Sequence, residues 1–204
     1  MKKCAKITAL VLACAMAVLS FSACGAGENG GNENLLSGYW TVDMEIENYG
    51  TIRLRLDADA APVTVTNFVK LVREGFYDGL TIHRVVPGFV IQGGDPDRNG
   101  TGGSEETIKG EFAANGVAND LAHVRGAISM ARLGSDYNSA TSQFFIVQDD
   151  SARASLDGKY ACFGYVTDGM EIVDRICAEV PVINSVGLVA EENQPVITSV
   201  KVVE

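Results

Sequence analysis

The sequence predicts a mainly β domain, in which a closed or sandwiched sheet carries two packed helices. Three observations lead there. Polar and apolar residues alternate with period two on both sides of Asn48-Tyr49-Gly50. Val65, Phe68, Val69 and Val72 recur at helical spacing. Short apolar runs and glycine turns fill the stretch that follows, with none of the regular strand-helix alternation that marks a parallel sheet.

Taken in order, WTVDMEIENYGTIRLRL reads as a hairpin turning at Asn48-Tyr49-Gly50. In APVTVTNFVKLVREG, Pro62 suits the first turn of a helix, because a missing N–H costs nothing there, and Gly75 can end it. HRVVPGFVIQGGD, residues 83 to 95, sets an arginine and an amide among apolar residues around a Pro-Gly break. A second helix is expected over Met170 to Ile176, and Val196, Thr198, Val200 and Val202 alternate in a closing strand. No internal repeat is visible.

The chain has 204 residues, 47% hydrophobic and 21% charged, which suits one globular domain plus an additional segment. That segment is at the front. Lys2, Lys3 and Lys6 precede the apolar run Ile7 to Leu19, and small residues lead to Cys24, the layout of a signal peptide over 1–23. The run is shorter than the roughly 20 residues of a spanning helix. LSFSAC resembles a bacterial lipobox, with Phe21 where Leu is usual, and this implies a lipid on Cys24. CGAGENGGNENLLS, residues 24–37, has little to bury and reads as a flexible linker to a domain over 38–204. Gly25, Gly27 and Gly30 spell GxGxxG, but no strand precedes them and no helix follows, so the dinucleotide-binding reading lacks its context.

Removal of 1–23 leaves 13 basic residues against 26 acidic ones, a charge of −13. Such a domain is repelled by phosphate backbones, which argues against nucleic acid as a partner. Cys162 and Cys177 are expected as buried free thiols, although a disulfide is possible outside the cell. They fit no zinc spacing with His83 and His123, and neither a metal nor a cofactor is expected. There is no GxSxG elbow, no HExxH, and no P-loop lysine after NGTGG. An enzyme built this way needs a reaction without a nucleophile.

HRVVPGFVIQGGD, NGTGG, GAISMAR, SQFFIVQ and LDGKYACFGYV occur in this order and spacing, and together they resemble the cyclophilin family of peptidyl-prolyl cis/trans isomerases from about Tyr39 to the C-terminus. The resemblance implies a closed eight-stranded antiparallel β-barrel capped by two α-helices. It places the catalytic pair on Arg84 and Gln92 and the apolar proline pocket on Phe89, Val90, Phe145 and Leu156. Gln143 matches a site residue on the same strand face as Phe145, while Phe144 should point into the core. Ala131 and Arg132 match the segment whose backbone pairs with a bound peptide, and Thr101, Gly102 and Gly103 a neighbouring loop.

Three positions depart from the family's usual residues: Ser155 stands for a large ring, Tyr160 for a frequent histidine, Val90 for a methionine. Weak binding of cyclosporin, the macrocycle that occupies this family's pocket, follows from Ser155. The implied activity is isomerisation of X-Pro bonds in unfolded exported proteins by a monomer lipid-anchored outside the cytoplasm. A peptide-binding module with weak or no turnover, or an envelope solute-binding or structural lipoprotein, are the competing classes.

Overall fold

The computed structural model describes residues 34–203. The expected signal peptide, Cys24 and the first ten residues of the expected linker lie outside the described residues. Within them Leu36 is held to the domain: its N–H donates to Thr66 Oγ1 (2.9 Å) and its side chain packs on the core.

Eight strands form one antiparallel sheet: β1 (Tyr39–Ile46), β2 (Gly50–Asp57), β3 (Ile82–Val86), β4 (Val90–Gly93), β5 (Ala127–Met130), β6 (Phe144–Val147), β7 (Cys162–Asp168) and β8 (Ile197–Val203). Their order across the sheet is β3-β4-β6-β5-β7-β2-β1-β8. Three α-helical segments accompany it: α1 (Pro62–Arg73), a four-residue α2 (Arg153–Leu156) and α3 (Met170–Glu179). No residue pattern announces α2, which is a single turn.

The expectation of a closed barrel is corrected. The sheet curls into an open half-barrel, with β3 and β8 at its edges. Just ahead of these strands, Thr81 and Val196 form an isolated bridge, but no ladder joins β3 to β8. The reason lies in where the edge groups of β3 find partners. Val85 N–H donates to Gly187 O (2.7 Å) and His83 O accepts from Val189 N–H (3.0 Å), so residues 187–189 occupy the edge that β8 would need.

The hairpin β1–β2 pairs from Tyr39↔Asp57 to Ile46↔Gly50. Val42, Met44, Ile46, Ile52, Leu54 and Leu56 are its inward, fully buried residues, as the alternation requires. α1 begins at Pro62 and its first free N–H groups meet the buried carboxylate of Glu111, which accepts from Val63 N (3.0 Å), Thr64 N (2.8 Å) and Thr64 Oγ1 (2.7 Å). A negative charge at this end also suits the helix dipole. Phe68 of α1 packs its ring on Tyr77 (4.9 Å between centroids), Phe163 (5.2 Å) and Phe144 (6.0 Å).

The closing strand departs from simple alternation. Glu45 pairs with Ser199 and Ile46 with Ile197, so Thr198 is an extra residue, a β-bulge. Past it the buried positions change parity, and Ile197 and Val200 are both inside while Thr198 is exposed.

The core divides in two. One cluster, with Ile91, Ile128, Phe144, Ile146 and Phe163, lies on the concave side with α1 and α3. The other, with Val90, Phe145, Val147, Leu156 and Cys162, lies on the opposite face. Neighbouring residues of β4, β6 and β7 enter different clusters, which is the period-two rule acting strand by strand. Cys162 and Cys177 are both free and buried, and burial pushes their thiols up to about 12 and about 11.

Candidate functional site

The second cluster floors a cavity of about 180 Å³ lined by Arg84, Phe89, Val90, Gln92, Ala131, Arg132, Phe145, Leu156 and Tyr160. Pro87 and Gly88 make the turn that brings Phe89 and Val90 to it. Phe89 N–H donates to Val86 O (2.9 Å) and Gly88 has φ +76°, the arrangement of a type II turn with proline second and glycine third.

Arg84 reaches the same face through an irregularity. Ile82 pairs with Gly93 and Arg84 with Gln92, so His83 is one residue too many for the ladder. Without this bulge Ile82 and Arg84 would share a face. With it, Ile82 and Val85 enter the core while Arg84 stands opposite Gln92. His83 is buried with neither ring nitrogen hydrogen-bonded. Burial lowers its pKa, Asp95 opposes that and Arg84 reinforces it, so the ring is neutral.

The polar groups form a chain with one possible polarity. A guanidinium only donates, so Arg84 Nη1 donates to Gln92 Oε1 (3.0 Å). The Gln92 amide then donates through Nε2 to Gln143 Oε1 (2.8 Å), and Gln143 Nε2 donates to Gly102 O (2.7 Å). Arg84 Nε donates to Val186 O (2.7 Å), which fixes the other side of the fork. Nη2 donates no hydrogen bond among the described residues, and Arg84 is one of the residues lining the cavity. Burial lowers the Arg84 pKa and Tyr160 opposes the shift, yet arginine starts so high that it remains charged.

The aromatic wall is similarly held. Tyr160 meets Phe145 edge-on (5.7 Å, 83°) and His123 stacks near it at 6.1 Å and 23°. His123 Nδ1–H donates to Asp157 Oδ1 (3.0 Å), leaving Nε2 to accept from Ser129 Oγ (3.0 Å). Burial lowers the His123 pKa against the raising effect of Asp157, which suits this neutral tautomer. The Arg132 guanidinium lies over Tyr160 (4.6 Å), Tyr137 (4.7 Å) and Phe112 (5.2 Å) and donates to the carbonyls of Lys159 and Leu133. It is a latch on the wall, a role distinct from backbone pairing with a peptide.

A second cavity, about 360 Å³, adjoins the first and shares Gln92, Ala131 and Arg132 with it. Thr101, Gly102, Gly103 and Gln143 line this one. Every catalytic and substrate-binding residue expected from the sequence therefore borders one of the two cavities. Ser155 borders neither; its hydroxyl donates to Ala152 O (2.9 Å). Sequence reasoning missed Val186, whose contribution is a carbonyl that any residue has, and the His123, Ser129 and Asp157 set. In that set, a lone histidine six residues before a serine carries no distinguishing spacing.

The model of a family described as cyclophilin type peptidyl-prolyl cis-trans isomerase/CLD matches residues 41–202. The chain is 49% identical over 131 residues to peptidyl-prolyl cis-trans isomerase B of Bacillus subtilis, covering 64% of this chain and 86% of that protein. It is 46% identical over 131 residues to a peptidyl-prolyl cis-trans isomerase of Helicobacter pylori, covering 63% of this chain and 76% of that protein. Its fold is similar to the crystal structure of a Cryptosporidium parvum cyclophilin type isomerase, with TM-score 0.71 and 28% identity over 82% of this chain and 99% of that one. A further structure of that protein was obtained in the presence of the dipeptide ala-pro; it has TM-score 0.70 and 27% identity over 80% of this chain and 99% of that one.

Proposed function

The chain belongs to the cyclophilin-type peptidyl-prolyl cis-trans isomerase family, and on that premise we propose that Arg84 and Gln92 drive rotation about X-Pro bonds in exported proteins, assisting their folding, from a domain tethered to the membrane by a lipid on Cys24. The observation that carries the catalytic part is the Arg84 guanidinium, charged, held by hydrogen bonds from Nε and Nη1, and lining the same cavity as Phe89, Val90, Phe145 and Leu156.

The chemistry needs no more than this. Rotation about a peptide bond meets a barrier of about 18–20 kcal/mol because the amide C–N bond is partly double. Twisting it localises the lone pair on the proline nitrogen and reduces the charge on the carbonyl oxygen. The cavity formed by Phe89, Val90, Phe145, Leu156 and Tyr160 receives the proline ring and favours this less charge-separated state. Nη2 donates toward the exposed lone pair, and each 1.4 kcal/mol of such selective stabilisation gives about tenfold in rate. Gln92 holds the guanidinium in plane, and its own orientation is fixed by Gln143 and Gly102. Peptide residues ahead of the proline run along Ala131 and Arg132 toward the cavity at Thr101 and Gly102.

The tether rests on the charged start, the short apolar run and LSFSAC. Two measurements test the proposal. Protease-coupled isomerisation of a short X-Pro peptide should show catalysis, and peptide binding without turnover would reduce the chain to a binding module. Cys24→Ser should abolish lipid labelling and release the domain; labelling unchanged in that variant, or absent from the wild type, would refute the anchor.

A further inference from the structure

Residues 182–189 form a small hairpin that the isomerase chemistry leaves unexplained. Val182 and Val189 pair as an isolated bridge, Ile183 N–H donates to Leu188 O (2.8 Å), and the Asn184 side chain accepts from Val186 N (3.2 Å) and Leu188 N (3.0 Å). The hairpin is set against β3 as closely as the backbone allows. Gly187 has φ +87°, and a β-carbon there would strike Val85 O and Val86 Cγ2, so only glycine permits the approach.

Its tip is apolar and bare. Seven large hydrophobic residues stand exposed among the described residues, and three of them, Val182 (43%), Ile183 (65%) and Val186 (57%), fall within residues 182–186. Clustered exposed apolar side chains mark contact surfaces more often than isolated ones do. The same tip touches the reacting group, since Val186 O holds Arg84 Nε at 2.7 Å.

We infer that the hairpin tip is a second contact surface for the substrate chain, taking an apolar side chain that lies two or three residues from the isomerised proline. This rests on the proposed isomerase reading, because the surface is continuous with the proline cavity through Arg84. Two or three extended residues span about 7–10 Å, enough to pass the guanidinium and reach its flank. An unfolded polypeptide supplies such side chains freely. A second copy of this chain fits less well: a stable interface engages about 20–30 residues a side, and this tip offers three large apolar ones. Anionic lipid fits less well too, because exposed Glu191 and Glu192 follow directly and the chain carries a net charge of −10.

The test measures binding, so that it does not depend on turnover. Proline peptides carrying Leu or Ser at the second or third residue on either side of proline are titrated into the full-length protein in detergent, and into its Val182→Ser/Ile183→Ser variant. The wild type should bind one Leu peptide at least fivefold more tightly than its Ser counterpart. The variant should reduce that preference below twofold while holding the Ser peptides as the wild type does. Equal affinities in the wild type, or a preference kept by the variant, overturn the inference. So does a wild-type dimer in sedimentation that the variant dissolves, because the tip would then be a self-contact. A preference that is lost on cue in a protein without isomerase activity would support the surface and defeat the catalytic reading instead.

Discussion

Replacing Arg84 by alanine separates a catalytic guanidinium from a structural one, because the two roles differ in size at this site. The change removes two charge-assisted hydrogen bonds, to Val186 O (2.7 Å) and to Gln92 Oε1 (3.0 Å). Both acceptors border solvent, one on an exposed residue and one on the open cavity, so water replaces the lost donor and the stability cost is about 1–2 kcal/mol. In a domain of this size that lowers Tm by only a few degrees. If Nη2 stabilises the twisted amide, kcat/KM should fall about a hundredfold, or 2.7 kcal/mol, while the Kd of a ground-state peptide shifts less than about threefold. Arg84→Lys should also lose most of the activity, because three donors on one nitrogen at the end of a flexible stem do not reproduce the spaced, planar fork whose Nε and Nη1 hold Val186 O and Gln92. The assays are protease-coupled isomerisation, peptide titration and thermal unfolding followed by circular dichroism. A folded alanine variant with wild-type kcat/KM would refute the reasoning outright.

Acid should weaken the fold before it affects the chemistry. His83 and His123 are both held below their usual value, chiefly by burial, so between about pH 6.5 and their folded values the unfolded chain binds protons that the folded chain does not. Stability then declines as pH falls through this window, by up to about 1.4 kcal/mol per pH unit for each histidine, and the urea midpoint should be lower at pH 5.5 than at pH 7. A midpoint that rises on acidification would contradict this. The isomerisation rate should stay nearly flat from about pH 6 to 8, since no proton is transferred and Arg84 remains charged. Gly187→Ala should push the 182–189 hairpin off β3, withdraw Val186 O from Arg84 and lower kcat more than it raises KM; an unchanged kcat would show that the carbonyl does not position the guanidinium. Cyclosporin should bind weakly, because the Ser155 hydroxyl is spent on Ala152 O and borders neither cavity, and Ser155→Trp should tighten it at least tenfold, with no change on titration marking the position as irrelevant.

Which of these features the sequence disclosed depends on whether side-chain type or backbone placement creates them. The hairpin β1–β2, α1 and the separation of Phe144 from Phe145 were legible, because burial on one face writes itself into alternation or helical spacing. The residues around the two cavities were reachable only through the five-block resemblance, for a single arginine, glutamine or phenylalanine looks the same on any strand. The bulges at His83 and Thr198 were hidden, since each inserts one ordinary residue and reverses parity without a glycine to mark it. The open edge was hidden for a related reason. Whether β3 pairs with β8 or with residues 187–189 is decided by backbone groups that every residue carries, and the Arg84 to Val186 bond spans 102 residues with no demand on residue type at the acceptor.

That bond also links the open sheet to the site's chemistry. Were β8 to take the outer edge of β3, the 187–189 segment would lose its place beside Val85, and with it the carbonyl that holds Arg84 Nε. Gln92 would then restrain the guanidinium from one side only, free to swing about the Nη1 contact. Orienting a donor to within a few tenths of an ångström requires two fixed points on a planar fork. The departure from a closed barrel, the tight glycine at 187 and the bulge that sets Arg84 opposite Gln92 are therefore one arrangement, and its result is a guanidinium held at two points beside the cavity proposed to take proline.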